Sequence, residues 1–143
     1  FRPNALAPQS ILWGGDNRGA MLRVIGGAGA TATRIENRLG EPAANPYLYM
    51  AAQIHAGLSG LSQRLQPPLA TESPYAANGD PELRIPTNLR DALAALSADS
   101  AMVQGFGADF VRYYSALKLP EQQRFELAED PVEFQRREYF SRI

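Results

Sequence analysis

The chain has 143 residues, which is enough for one domain with a hydrophobic core. Hydrophobic residues make up 45% and charged residues 20%, and a formal net charge of -1 argues against a general attraction to nucleic acid or to acidic membranes. The sequence has no cysteine, which excludes disulfides and thiolate metal sites and fits a reducing compartment.

The first residues carry no signal-peptide pattern, and no apolar run approaches the ~20 residues that a membrane-spanning helix needs. Because the chain begins at Phe1 rather than at a methionine, we expect a processed product or a piece of a longer chain. Glycine is concentrated between residues 14 and 29 and proline between residues 67 and 86, and no internal repeat is present.

Short strands are predicted in the glycine-rich N-terminal part. Residues 9–13 (QSILW), 20–25 (AMLRVI) and 33–39 (TRIENRL) have strand composition and are bounded by turn residues. The connection 26–29 (GGAG) favours an antiparallel pair of the second and third strands, because glycine adopts left-handed backbone angles easily.

The third strand carries charged residues at alternate positions, so Arg34, Glu36 and Arg38 are expected on one face. One interpretation is an exposed face with cross-strand ion pairs worth at most ~1 kcal/mol each, and composition alone favours it. The other is an active-site face, since arginine binds phosphate bidentately and a carboxylate can hold Mg²⁺. Arg23 on the second strand, and Arg18 in the turn before it, would add the positive charge that an anionic, metal-bound substrate requires.

The segment 45–65 is the clearest helix, with Asn45 as N-cap and Pro46 at the first position. Its apolar stripe consists of Tyr47, Ala51, Ile54, Leu58, Leu61 and Leu65. Gly57 and Gly60 lower the helix propensity, and we expect them to allow the close approach of a neighbouring element.

The rest of the chain predicts an exposed, mobile, proline-rich connection at 66–86 and then helices. Helical patterns cover 87–99, with Thr87 as a candidate cap, and 107–119, and we expect a further helix after Pro120. A last helix is predicted to begin after Asp130, with Pro131 at its first position, Glu133 completing a capping box, and Arg136, Arg137 and Arg142 towards its C-terminal end. Strands followed by helices define an α+β fold, with short antiparallel strands at the N-terminal end followed by several packed helices.

Other candidate sites have simpler interpretations. The GGAG segment lacks the spacing and the lysine of a phosphate-binding loop, so a hairpin loop is favoured. His55 has no second metal ligand nearby and is interpreted as a packing residue. The aromatic residues of the C-terminal part are also interpreted as packing residues; they are Tyr113, Tyr114, Phe134, Tyr139 and Phe140.

The literal motifs point to a family. The segment 13–24 (WGGDNRGAMLRV), followed by 33–61 (TRIENRLGEPAANPYLYMAAQIHAGLSGL), resembles the C-terminal part of the catalytic domain of glutamine synthetase in order, spacing and identity. The remaining residues look like the helical tail of the same family, with weaker motifs. The resemblance covers nearly all of this chain but only the last third or so of a family member. It implies a fragment of a glutamine synthetase catalytic domain, divided into a strand part at 1–40, a helix at 45–65, a loop at 66–86 and a helical tail at 87–143.

The resemblance also implies a reaction. Family members use ATP to convert the γ-carboxylate of glutamate into γ-glutamyl phosphate, which ammonia, or in related members an amine or polyamine, then attacks. Glu36 matches a carboxylate ligand of the Mg²⁺ or Mn²⁺ ion that bridges the phosphates. Arg38 matches the arginine that meets the γ-carboxylate and the phosphoryl group, and Arg18 matches an arginine at the substrate and the transferring phosphate. Arg23 and Arg34 match arginines on the phosphates of ATP.

The sequence also departs from the family pattern. Thr31 and Thr33 stand where many members carry basic residues, and the other metal-binding residues and the glutamate-binding loop of the family lie upstream of Phe1. The resemblance implies a cytoplasmic parent that forms a homo-oligomeric ring and has no nucleic-acid or membrane partner, and we expect the fragment alone to be inactive. Two alternatives are a γ-glutamyl-amine or polyamine ligase and a non-catalytic assembly module. Tyr75 falls where some bacterial members carry a regulatory tyrosine, but its surroundings do not resemble theirs and that role is not transferred.

Overall fold

The structure is a computed structural model that describes residues 7–76 and 80–140. The chain divides into two compact units. The strand unit comprises Phe1–Glu41 and Gln66–Ile85, and the helical unit comprises Pro42–Leu65 and Pro86–Ile143.

The strand unit contains one mixed sheet in the order β1-β2-β3, formed by β1 (Trp13–Gly15), β2 (Leu22–Ile25) and β3 (Arg34–Asn37). The expected antiparallel pairing across the GGAG loop is confirmed for β2 and β3, whereas β1 pairs with β2 in parallel. The parallel pairing arises because the turn after β1, which includes Asp16 at a φ of 48°, brings the chain back to the start of β1. The predicted first strand is therefore reduced to Trp13 and an isolated bridge between Ser10 and Arg84.

The proline-rich connection is more structured than expected. Most of residues 66–76 is exposed, but Pro74 is buried, and a short 3₁₀ turn covers Pro81–Leu83. The backbone N–H of Thr71 donates to the carbonyl of Trp13 at 2.9 Å, and that of Ile11 donates to the carbonyl of Leu83 at 2.7 Å. The predicted exposure is therefore confirmed for most of the described residues of this connection, and two of its backbone groups are hydrogen-bonded to residues near β1.

The described part of the helical unit contains five α-helices, namely α1 (Pro46–Gln63), α2 (Leu89–Ala98), α3 (Ser100–Phe106), α4 (Ala108–Glu126) and α5 (Pro131–Gln135). The caps at Asn45 and Asp130 are confirmed, since Oδ1 of each accepts two backbone N–H bonds. The cap of α2 is Asn88 rather than Thr87. Helix α5 continues into a π-helical turn at Arg136–Phe140, and the predicted role of Arg142 lies outside the described residues.

The prediction of a separate helix after Pro120 was wrong, because α4 runs through this proline. The first two residues after the proline, Glu121 and Gln122, are buried and hydrogen-bonded within the helix, to Lys118 and Glu126 respectively. Side-chain pairs at this spacing contribute only about 0.2–0.5 kcal/mol each, so they accompany the continuous helix and do not by themselves offset the cost of about 3 kcal/mol of an interior proline.

The core of the helical unit is small and partly aromatic. Leu93 of α2 and Val111 of α4 are buried. His55 meets Phe106 edge to face at 5.0 Å between ring centroids, as expected for a packing histidine. A row of stacked rings runs from Phe106 at the end of α3 to Phe110 and Tyr114 of α4.

The apolar stripe of α1 is exposed in the described structure. Tyr47 and Leu61 are each 77% exposed, and no residue of α1 is buried. A Cβ added at Gly57 or Gly60 would meet nothing within 4 Å, so the expected close approach is not found among the described residues. None of the described helices is long and apolar enough to cross a membrane.

Candidate functional site

The candidate site lies on one face of the sheet, which we call the charged face and define by Arg23, Arg34 and Glu36. The register pairs Arg23 with Glu36 and Ile25 with Arg34, so these three charged side chains lie on the same side of the sheet. The backbone N–H of Arg38 donates to the carbonyl of Met21 at 2.9 Å, which continues the ladder past the end of β3.

Arg23 holds two carboxylates. Its Nε donates to Oδ1 of Asp16 at 3.0 Å, its Nη2 donates to the same oxygen, and its Nη1 donates to Oε2 of Glu36 at 3.1 Å. The hydrogen bonds to Asp16, and then the one to Glu36, raise the pKa of Arg23. The carboxylate of Asp16 brings the net charge of this region closer to zero than the sequence alone predicts. Arg23 bonds to Oε2 of Glu36 and not to Oε1.

Sequence reasoning missed Asp16. This residue follows β1 directly and is placed beside Arg23 by the parallel pairing of β1 with β2. The pattern GGDN predicts only a turn, and nothing local in it indicates that its carboxylate meets a residue seven positions later. A correct prediction of parallel pairing would have been needed to find it.

Arg38 is incompletely satisfied. Its Nη1 is buried and has no hydrogen-bond partner among the described residues. Leaving a buried donor unpaired costs about 1–3 kcal/mol, and more for a charged group, so such groups are rare in folded proteins. This guanidinium is therefore suited to an anionic oxygen that the described residues do not supply.

The other two predicted arginines are exposed. Arg18 lies in the turn before β2, as predicted, and forms no ion pair within the described residues. Arg34 is on the charged face, and its Nη1 donates to the carbonyl of Ala32 at 2.9 Å. The structure thus brings Arg23, Arg34 and Glu36 together and leaves Arg18 on a neighbouring turn.

The GGAG loop is a hairpin connection. Gly26 and Gly29 have φ values of 85° and 81°, which glycine adopts at little cost. The Thr33 hydroxyl oxygen lies 2.8 Å from the carbonyl oxygens of Gly27 and Ala30, shares its one hydrogen between them and closes the loop. Thr33 therefore has hydrogen-bond partners within the hairpin itself.

The described residues do not form a complete metal centre. No cluster of three or more histidine, cysteine, aspartate or glutamate side chains occurs in residues 7–76 and 80–140 that could hold an ion. Glu36 can supply one carboxylate, whereas Mg²⁺ takes six oxygen ligands, several of which are often water and substrate phosphates.

The opposite face of the sheet is apolar. Trp13, Leu22, Val24 and Ile35 line a groove of about 320 Å³ together with Ile11 and Pro67. The register places Val24 opposite Ile35 on this side, away from Glu36. The sheet therefore separates a charged face from an apolar one, and the chemistry-bearing side chains are on the first.

Arginine binds phosphate oxygens and a carboxylate can bind a metal ion, so the charged face is chemically compatible with an anionic, metal-bearing ligand. A family model described as the glutamine synthetase catalytic domain matches residues 1–137. The chain belongs to the glutamine synthetase catalytic-domain family.

The chain is similar to relatives named as glutamine synthetases and to relatives named as γ-glutamylamide-forming synthetases. A γ-glutamylanilide synthase from Acinetobacter sp is 41% identical over 98% of this chain and 29% of its own length. A glutamine synthetase from Vibrio alginolyticus is 36% identical over 93% of this chain and 30% of its own length. A γ-glutamylethanolamide synthetase from Streptomyces coelicolor is 35% identical over 95% of this chain and 29% of its own length.

A solved structure agrees with the fold. The GmaS/ADP complex in conformation 1 superposes with a TM-score of 0.74 and 30% identity, covering 99% of this chain and 33% of that chain. The present chain thus spans about 30% of the length of the curated relatives it matches.

Proposed function

We propose that these residues are the C-terminal portion of the catalytic domain of a longer ATP-dependent ligase, which forms γ-glutamyl phosphate from glutamate and amidates it. The family match and the charged face support this function. The observation that carries it is Arg38, whose buried Nη1 lacks a partner among the described residues and is suited to a phosphoryl or carboxylate oxygen. Catalysis of this kind depends mainly on positioning and on neutralising the charge of the transferring phosphoryl group.

Each charged residue has a proposed part. Arg38 meets the γ-carboxylate and the transferring phosphoryl group, and Arg18 meets the same group from the turn before β2. Arg23 and Arg34 hold the phosphates of ATP. A guanidinium group that is already held in place, as Arg23 is by Asp16 and Glu36, stabilises charge with little reorganisation.

The metal, Mg²⁺ or Mn²⁺, fits Glu36 in part. Arg23 contacts Oε2 of Glu36, so Oε1 remains for a cation, and the arginine fixes the carboxylate in place. The remaining ligands would come from substrate phosphates, from water and from residues outside this chain. When bound, the metal neutralises charge on the β- and γ-phosphates.

The first proposed acceptor is ammonia. An amine is the second candidate, and it is favoured by the 41% identity to a protein named γ-glutamylanilide synthase. Both acceptors require the same phosphoryl chemistry, so the residues of the charged face do not distinguish them. The parent is also proposed to be a cytoplasmic homo-oligomeric ring without a nucleic-acid or membrane partner.

The test is turnover of ATP to ADP by the full-length parent with Mg²⁺ and glutamate. Ammonia is compared with aniline, ethanolamine and a polyamine. Turnover with ammonia supports a glutamine synthetase, and turnover only with an amine supports a γ-glutamylamide ligase. A folded parent that neither binds ATP nor turns over any acceptor contradicts the proposal and favours a non-catalytic assembly module.

A further inference from the structure

A proline-rich segment lies along the turn that carries Arg18. We define the strap as residues 68–75. Trp13 Nε1 donates to the carbonyl of Pro68 at 2.8 Å, and the N–H of Thr71 donates to the carbonyl of Trp13 at 2.9 Å. Asn17 Nδ2 donates to the carbonyl of Glu72 at 3.1 Å. These three bonds attach the strap to β1 and to the turn that follows it.

Two glycines bring the strap close to the strand and the turn. A Cβ on Gly14 would lie 2.7 Å from the carbonyl oxygen of Thr71. A Cβ on Gly19 would lie 2.6 Å from Cγ of Pro74 and 3.0 Å from the ring of Tyr75. Gly19 does not have a positive φ, so its small size is required by this contact and not by its backbone angles.

Asn17 uses both halves of its amide. Its Oδ1 accepts from the N–H of Gly19 at 2.9 Å, which closes the turn around Arg18. Its Nδ2 reaches the strap through the carbonyl of Glu72. The Asn17 side chain thus shapes the turn and connects it to the strap. Arg18 lies between Asn17 and Gly19 in the sequence.

We infer that Asn17 is a positioning residue and that the strap braces the backbone of Arg18 for the phosphoryl-transfer step. This inference rests on the proposed function. An exposed arginine on an unbraced turn samples many orientations, and ordering it at the moment of reaction costs entropy. A turn held by the strap reduces that cost in advance, which is the usual benefit of building a site on supported backbone.

The test uses Asn17→Asp and Asn17→Ala in the full-length parent, with ATP, glutamate and Mg²⁺. Hydroxylamine serves as the nucleophile, because it captures acyl phosphates without a selective acceptor pocket. The aspartate variant keeps an acceptor for Gly19 but loses the donor to Glu72, whereas the alanine variant loses both bonds. Gln104→Glu, an equal change of charge at an exposed position of α3, is the matched control.

Both Asn17 variants are expected to lower kcat by about 10-fold, with the KM for ATP changing by less than about 2-fold. When Arg18→Ala is already present, adding either Asn17 variant should lower kcat by less than about a further 2-fold. The effects of two substitutions are not additive when one residue acts through the other. Gln104→Glu should leave both constants unchanged.

The outcomes separate the two proposals. If Arg18→Ala keeps full kcat, the role given to Arg18 in the proposed function is wrong. If Arg18→Ala loses kcat while both Asn17 variants match the wild type, the strap inference is overturned and the proposed function stands. An equal loss from Asn17→Asp with and without Arg18 would also overturn the inference, because the residue would then have only a structural role.

A second pair of variants tests the strap without any change of charge. Gly19→Ala is expected to lower kcat through its clash with Pro74, and Pro74→Ala, which lacks Cγ, should restore part of the loss. Thermal unfolding of each variant verifies that it is folded. A Gly19→Ala enzyme with the wild-type kcat would contradict the close contact between the strap and the turn.

Discussion

Arginines on and beside the charged face differ in what they already bind. Arg23 is paired with Asp16 and Glu36, whereas Arg38 has a buried nitrogen without a partner among the described residues. An arginine that is already paired stabilises the arrangement of the neighbouring carboxylates. A buried arginine nitrogen without a partner gains a new hydrogen bond and ion pair when an anion binds. Arg38 is therefore the residue at which substitution should separate catalysis from stability.

Arg38→Ala in the full-length parent is expected to lower kcat by about 10²–10³-fold, which is typical for removal of one donor to a developing charge. Arg112→Ala is the matched control, since Arg112 is exposed on α4 and pairs with Asp109 at the surface. ADP release measures both. Normal turnover by Arg38→Ala would favour the assembly-module alternative.

Glu36→Gln should raise the Mg²⁺ concentration for half-maximal activity by about 10-fold or more, because the amide is a weaker ligand than the carboxylate. Glu129→Gln, at an exposed position after α4, is the control. Activity is measured across a Mg²⁺ titration. An unchanged titration curve would exclude Glu36 as a metal ligand.

A second kind of residue acts on stability. Glu121 is only 7% exposed, and it accepts from Lys118 Nζ at 2.7 Å and from the Tyr139 hydroxyl. Burial by itself raises the pKa of Glu121, but the hydrogen bonds from Lys118 and Tyr139 outweigh it and hold the pKa below the ordinary value of 4.5. A lowered folded pKa contributes stability above pH 4.5 that is lost as the pH falls through the folded value.

We expect Glu121→Gln to destabilise the parent near pH 7 by about 1–3 kcal/mol, since it weakens a buried, charge-assisted pair. The difference from the wild type should shrink below pH 4.5 and be lost as the pH falls through the lower folded pKa, because the wild-type carboxyl is then neutral in the folded protein too. Thermal unfolding between about pH 3 and 8 measures this, with Glu129→Gln as the control. A difference that stays constant with pH would show that the charge of Glu121 is not the cause.

At the scale of elements, α1 and α3 approach closely where Gly105 of α3 faces the His55 ring of α1. A Cβ on Gly105 would lie 2.4 Å from Cγ of the His55 ring, so no side chain fits there unless the ring moves. His55 also packs against Phe106 of α3. The approach of these two helices thus depends on a residue that sequence reasoning did not single out.

Gly105→Ala is expected to destabilise the parent by about 1–3 kcal/mol through this clash, although alanine is the better helix former. In a His55→Ala background the sign should reverse, and Gly105→Ala should stabilise by up to about 1 kcal/mol, because only the helix propensity remains. Unfolding in denaturant measures all four proteins. Destabilisation of equal size in both backgrounds would contradict the contact.

At the scale of the whole molecule, the proposed site is incomplete among the described residues. It spans about 30% of the length of its relatives, its described residues form no metal cluster, and the apolar stripe of α1 is exposed. A metal-dependent phosphoryl transfer needs more oxygen ligands than Glu36 provides. We therefore expect the proposed activity to require the longer parent.

Purified residues 1–143 are expected to show no ATP turnover with glutamate, Mg²⁺ and either ammonia or an amine. ADP release is measured beside the full-length parent as the positive control. Circular dichroism of the fragment verifies its helix content, so that inactivity is not confused with unfolding. Turnover by the folded fragment would contradict the proposal that the site is incomplete.

Local sequence determined a large share of this protein. The cap at Asn45, Pro46 at the first helical position and the apolar spacing that follows predicted α1, because a helix start depends on a few adjacent residues. The glycines of the GGAG loop predicted the pairing of β2 with β3, since turn chemistry sets the register of a hairpin. The motif around Glu36 indicated the family, which the match over residues 1–137 confirms.

Only the tertiary structure decided the remainder. The parallel pairing of β1, the contact of Asp16 with Arg23 and the three bonds of the strap join residues between 7 and 58 positions apart. Their partners are chosen by packing and by the need to satisfy backbone groups, for which a single sequence carries no local signal. The surroundings of Pro120 in α4 belong to the same group, since Glu121 is buried and accepts from the Tyr139 hydroxyl 18 positions later.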